Sequence, residues 1–124
     1  MSSYIEPTLK SNPDEVILHC GTNDLRHEEP KEIAERIVGI AKEIESRGQK
    51  ATVSGLIRRT DSPELETKRR SVNVFLGEML LGSTTRFISH ENVHPFHLNR
   101  WGLHLNQYGS KIITENFVRY LTNN

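Results

Sequence analysis

The chain has 124 residues, with 16 basic and 16 acidic side chains and a formal net charge of zero. A length of this order makes one domain. Balanced charge disfavours a dedicated nucleic-acid binder, whose domain is usually basic, and removes the attraction to an anionic membrane surface. A single cysteine, Cys20, excludes a disulfide framework within the chain and a multi-cysteine metal site. No apolar run approaches the ~20 residues of a membrane span, and Met1 to Ser11 lack the apolar core of a signal peptide. The expectation is a soluble, cytoplasmic protein with no cofactor. Its apolar residues make up 35% of the chain, which predicts a thin core.

Residues 1–13 read as a polar leader, and 14–124 as the domain. Glu15-Val16-Ile17-Leu18-His19-Cys20 has the composition of a buried strand, closed by Gly21. Pro30 sits where a first helical residue belongs, with Glu28 and Glu29 at the positive helix end. Ile33, Ile37, Val38, Ile40, Ala41 and Ile44 then keep helical spacing up to Gly48. Ala51 to Ile57 is the second expected strand. Asp61-Ser62-Pro63 opens a second helix with apolar Leu65, Val72, Phe75, Leu76, Met79 and Leu80, and Gly82 ends it. Thr85 to Ser89 is a short third strand. Residues 90–105 form a polar, histidine-rich loop, and Asn106 can cap a last helix carrying Tyr108, Ile112, Ile113, Phe117 and Leu121. Strands and helices alternating in this order predict an α/β fold, a parallel sheet with right-handed crossovers.

Chemistry in such sheets collects at the carboxyl ends of the strands. Two stretches belong there: Gly21-Thr22-Asn23-Asp24 after the first strand, and Gly102-Leu103-His104-Leu105-Asn106 before the last helix. In this order and on this framework they resemble the third and fifth signature blocks of the SGNH (GDSL-type) hydrolase family. Val16 to Leu25 and Leu103 to Asn106 are also similar to SGNH domains of animal retroelement polyproteins. The likeness runs over residues 14 to 121.

The resemblance implies a truncated, flavodoxin-like three-layer architecture of about three parallel strands flanked by helices. It implies ester hydrolysis by a serine, with an Asn as oxyanion donor and an Asp-x-x-His supplying the base. Asn23 matches the oxyanion position and His104 the base, with Gly21, Thr22, Asp24 and Trp101 lining the remnant site. Trp101 stands where the orienting Asp belongs, and its indole N–H accepts no hydrogen bond. No Gly-Asp-Ser block occurs in the sequence. The expected function is therefore a catalytically incomplete domain that self-associates or binds a partner, including a small ester or acyl ligand. The alternative is a working esterase with an unconventional or intersubunit nucleophile.

Other constellations have plainer readings. Cys20 and His19 are neighbours on a strand and point to opposite faces, so Cys20 is expected to be buried and inert. His90, His94 and His97 with His104 could gather a zinc ion, although loop histidines flanking Pro95 are expected to be solvated. Arg58, Arg59, Lys68, Arg69 and Arg70 could make an RNA or phosphate patch. Asp61, Glu64 and Glu66 interleave them, which predicts a solvated, salt-bridged face. The resemblance also removes the strand that would flank Val16–Cys20. That leaves a bare edge, and a two-fold homodimer pairing this strand with its own copy is expected.

Overall fold

The computed structural model describes residues 5–9, 14–20, 23–98, 102 and 104–122. Strands β1 (Ile5–Leu9), β2 (Glu15–Cys20), β3 (Lys50–Ser54) and β4 (Arg86–Ile88) form one sheet in that spatial order. β2, β3 and β4 are parallel, and the connections between them run through helix α1 (Pro30–Ser46) and helix α2 (Pro63–Leu80). Helix α3 (Gln107–Thr122) ends the chain's described part.

Local chemistry explains the helix boundaries. The Ser62 hydroxyl accepts from the Leu65 amide at 3.2 Å, and Pro63 begins α2 with Glu64 and Glu66 in its first turn. The Asn106 side chain accepts from the Gly109 amide at 2.9 Å, so it caps α3 as expected. α1 stops at Gly48, whose φ of 83° is the left-handed conformation that glycine adopts without a Cβ penalty.

The pleat sorts the strand residues onto two unlike faces. Val16 and Leu18 of β2, Ala51 and Val53 of β3, and Phe87 of β4 join the main core, with Ile33, Ile37, Val38, Val72 and Leu76 from α1 and α2. The opposite face carries His19, Thr52, Ser54, Arg86 and Ile88. There α3 lies against β4, and Arg86 sits over the Tyr120 ring with 5.7 Å to its centroid. A second apolar cluster of Val93, Leu98 and Ile113, flanked by Ile57, Leu105, Ile112 and Phe117, fixes α3 to the preceding loop.

Two expectations are corrected. The leader is not free of structure: β1 pairs antiparallel along β2 from Ile5 opposite Cys20 to Leu9 opposite Val16. The edge reserved for a second copy is thus taken by the same chain, and the homodimer through Val16–Cys20 loses its premise. The sequence signal lay in the alternation of Ile5, Pro7 and Leu9 with Glu6 and Thr8. Pro7 lacks an N–H to donate, and such a residue is confined to edge strands. β3 also ends at Ser54 rather than Ile57, because the Leu56 amide and carbonyl turn to the Asn73 side chain, at 3.0 and 2.9 Å.

Candidate functional site at the carboxyl ends of the strands

His19 and Ser54 are register partners at the ends of β2 and β3. The parallel register and the pleat bring both to the face that α3 covers. Ser54 Oγ lies 3.2 Å from His19 Nδ1 and 2.7 Å from Nε2 of His90, two residues beyond β4. The far side of the His90 ring meets α3: Asn116 Nδ2 is 3.0 Å from Nδ1, and Phe117 packs edge-on at 5.3 Å. Asn116 in turn exchanges two amide hydrogen bonds with Asn92, both 2.9 Å.

Ser54 and His90 are fully enclosed, with no exposed surface, while His19 is half-buried. Burial, reinforced by the neighbouring His19 and only partly opposed by Glu91, lowers the His90 pKa to about 4. The ring is neutral at pH 7, with one nitrogen donating and the other accepting. With Asn116 donating to Nδ1, Nε2–H donates to Ser54, whose hydroxyl donates to His19. The backbone amides after Ser54 are engaged: Gly55 N–H donates to Ile88 O at 2.8 Å, and Leu56 N–H to Asn73 Oδ1.

Of the positions taken from the resemblance, Asn23, Asp24 and His104 are among the described residues. Asn23 and Asp24 begin a 3₁₀ turn, Asn23–Arg26, directly beyond β2, and the turn is pinned by fully buried Leu25. Gly21, Thr22 and Trp101 lie outside the described residues. His104 is exposed and makes no hydrogen bond among the described residues. Its loop is nevertheless held at this end of the sheet. Thr60 N–H donates to Gly102 O at 2.7 Å, Leu98 and Leu105 form an antiparallel bridge, and Asn106 Nδ2 donates to the Phe96 and Leu98 carbonyls.

The histidine and arginine readings change. His90 and His97 are buried, not solvated, because each ring meets partners inside the fold. His97 Nδ1 accepts from the His94 amide at 2.9 Å, while His94 stacks on exposed Phe96. Among the described residues no His, Cys, Asp or Glu group could hold a metal ion. The basic cluster is salt-bridged as expected, but two of its five members are not solvated. Arg59 and Arg69 are buried, Arg59 on Asp61 at 2.6 Å, and Arg69 on Glu66 and on Glu91, the latter at 2.5 Å. Arg58 donates to Val93 O, Lys68 to Leu25 O, and Arg70 to Glu66. Glu91, a potential substitute acid for His104, is held by Arg69 and Asn73.

Sequence reasoning missed Ser54, Asn116 and the role of His90. The available signal was a polar residue near the carboxyl end of each of two apolar strands, His19 in the first and Ser54 in the second. Their meeting with His90 and Asn116, across separations of 36 and 26 residues, is tertiary.

No protein-family profile matches the sequence, and no curated protein does. Among solved structures the chain is similar to a carbohydrate esterase family 3 protein from Talaromyces cellulolyticus, with a TM-score of 0.71 and 18% identity. The match covers 90% of this chain and 58% of that one, so this chain spans a little over half its neighbour's length. Among the described residues no helix is long and apolar enough to cross a membrane. At this identity the likeness is one of fold: the chain has an SGNH-like α/β architecture.

Proposed function

We propose that this chain is an SGNH-like domain that binds a small acyl ligand at the carboxyl end of its sheet and does not turn esters over. The observation that carries the reading is the state of His104. A general base needs a partner that fixes its tautomer and a proton within reach. His104 is exposed and unbonded among the described residues. Trp101 stands three residues before it, and Glu91 is committed to Arg69 and Asn73. The sequence holds no Gly-Asp-Ser block to supply an attacking hydroxyl at the family's position. An acyl ligand is favoured because the structural neighbour is named an esterase. A nucleic-acid or phosphate role draws no support from residues 58 to 70, where each basic side chain has a protein partner.

The test has two arms. With p-nitrophenyl acetate the chain should show no multiple turnover above a protein blank. Turnover that His104→Ala abolishes would falsify the reading. Titration with acetate should move the amide resonances of Asn23, Asp24 and His104, and an unresponsive spectrum would remove the binding half of the proposal.

A further inference from the structure

We propose that Ser54 is a masked nucleophile: Ser54, His90 and Asn116 form an acyl-accepting triad that takes one acyl or phosphonyl group from an activated donor and stops there. This goes beyond the reading above, which concerns the Asn23 and His104 positions and turnover.

The geometry has the three parts that nucleophile activation needs: a hydroxyl, an imidazole within hydrogen-bond reach, and a third group that orients the imidazole. Ser54 Oγ to His90 Nε2 is 2.7 Å, and His90 Nδ1 to the Asn116 amide is 3.0 Å. Turning the Asn92 and Asn116 amides over together keeps every bond and reverses the relay's direction. Asn116 Oδ1 then accepts from His90 Nδ1–H, and Nε2 accepts the Ser54 proton. Ser54 Oγ in turn accepts from His19 Nδ1–H. His90 carries one ring proton in either arrangement, so the reversal adds none to it.

The same surroundings limit the chemistry to one event. The Gly55 and Leu56 amides, which would serve an oxyanion, are bonded to Ile88 O and Asn73 Oδ1. Donors with good leaving groups, such as aryl esters or fluorophosphonates, therefore form the substrate class. In the step, Ser54 Oγ bonds to the carbonyl carbon or the phosphorus. The bond to the aryloxide or fluoride breaks, and the serine proton passes to His90 Nε2 and then to the leaving group. Deacylation passes through the same oxyanion with the Gly55 and Leu56 amides still engaged and with the poorer serine alkoxide as leaving group, so the adduct persists. Entry requires the segment after β4 to lift. Its tethers include Arg58 to Val93 O at 2.5 Å, Arg69 and Asn73 to Glu91, and the Asn92–Asn116 amide pair.

The experiment is incubation of the intact chain with a fluorophosphonate, followed by whole-protein mass and peptide mapping. One adduct on Ser54 is expected, absent in Ser54→Ala, and formed faster in Arg58→Ala, where one tether is gone. Loss of the base in His90→Gln should slow labelling by at least about a hundredfold, the low end for general-base catalysis. Asn116→Asp, which keeps the acceptor, should label, and Asn116→Leu should label slowly; circular dichroism confirms folding of each. No adduct in either the unmutated chain or Arg58→Ala overturns the proposal. So does an adduct elsewhere, or labelling by folded His90→Gln or Asn116→Leu at the unmutated rate. Multiple turnover of p-nitrophenyl acetate that survives Ser54→Ala would instead refute the non-hydrolytic reading alone.

Discussion

Arg69 on α2 reaches Glu91, beyond β4, at 2.5 Å, and in doing so ties the helix that follows β3 to the segment that carries His90. The guanidinium has no exposed surface, whereas the Glu91 side chain is 48% exposed and that of Glu66, its other carboxylate partner, only 12%. Removing one member of a buried ion pair leaves an uncompensated charge, at a cost of about 3–5 kcal/mol. Arg69→Met should approach that range in urea melts. Glu91→Gln should lose about 1 kcal/mol or less, because the half-exposed Glu91 charge is screened by solvent and Arg69 keeps its buried partner Glu66. Equal losses in the two variants would contradict the burial order.

Stability should fall in two stages on acidification. His90 is held neutral by burial, with a pKa of about 4 against an ordinary 6.5. The unfolded chain therefore binds the proton first. Its contribution is complete above pH 6.5 and is lost as pH falls towards 4, at a limiting slope of about 1.4 kcal/mol per pH unit. Glu66 adds a second stage. Burial raises its pKa, but hydrogen bonds from Arg69, the Arg59 amide and Arg70, with the charge of Arg69, hold it below its ordinary 4.5. The Arg59 hydrogen bond lowers Asp61 from 3.8 in the same sense. These carboxylates stabilise the fold above their unfolded values and lose that effect as pH falls through their folded ones. A folded His90→Phe should flatten the curve between pH 6.5 and 4.5 and keep the acid limb. An unchanged slope there would exclude His90 as its source.

Two glycines hold the loop that carries His104. Gly102 has φ of 73°, and a Cβ there would stand 2.2 Å from Thr60 Oγ1 and 2.9 Å from backbone. Gly102→Ala should destabilise by more than about 1 kcal/mol. Gly109 lies in α3, where alanine ordinarily gains about 1 kcal/mol. Here the added Cβ would meet His97 O at 2.2 Å, so Gly109→Ala should lower the denaturation midpoint instead. A raised midpoint would mean that α3 can shift away from the Pro95–His97 turn.

β1 explains why the β2 edge needs no second copy. A chain lacking residues 1–10 would expose the backbone of Val16-Ile17-Leu18, which has no proline, glycine or lysine to discourage pairing. Light scattering should give a larger mass for the shortened chain than for the whole one. Equal masses would show that another feature protects this edge.

The sequence by itself determined the α/β class, the three parallel strands and the helix starts at Pro30, Pro63 and Gln107. Proline at a first turn, a capping Ser62 or Asn106, and apolar spacing are local signals that need no distant partner. β1 escaped because a five-residue alternation in a polar leader becomes a strand only when β2 offers its edge. The tertiary structure alone decided that Arg59 and Arg69 are buried, since their carboxylate partners lie on the loop beyond β3, in α2 and beyond β4. It alone decided the site as well. Ser54, His90 and Asn116 are far apart in the chain, and ordinary in composition. Parallel register places His19 beside Ser54, and the packing of α3 then brings Asn116 onto His90.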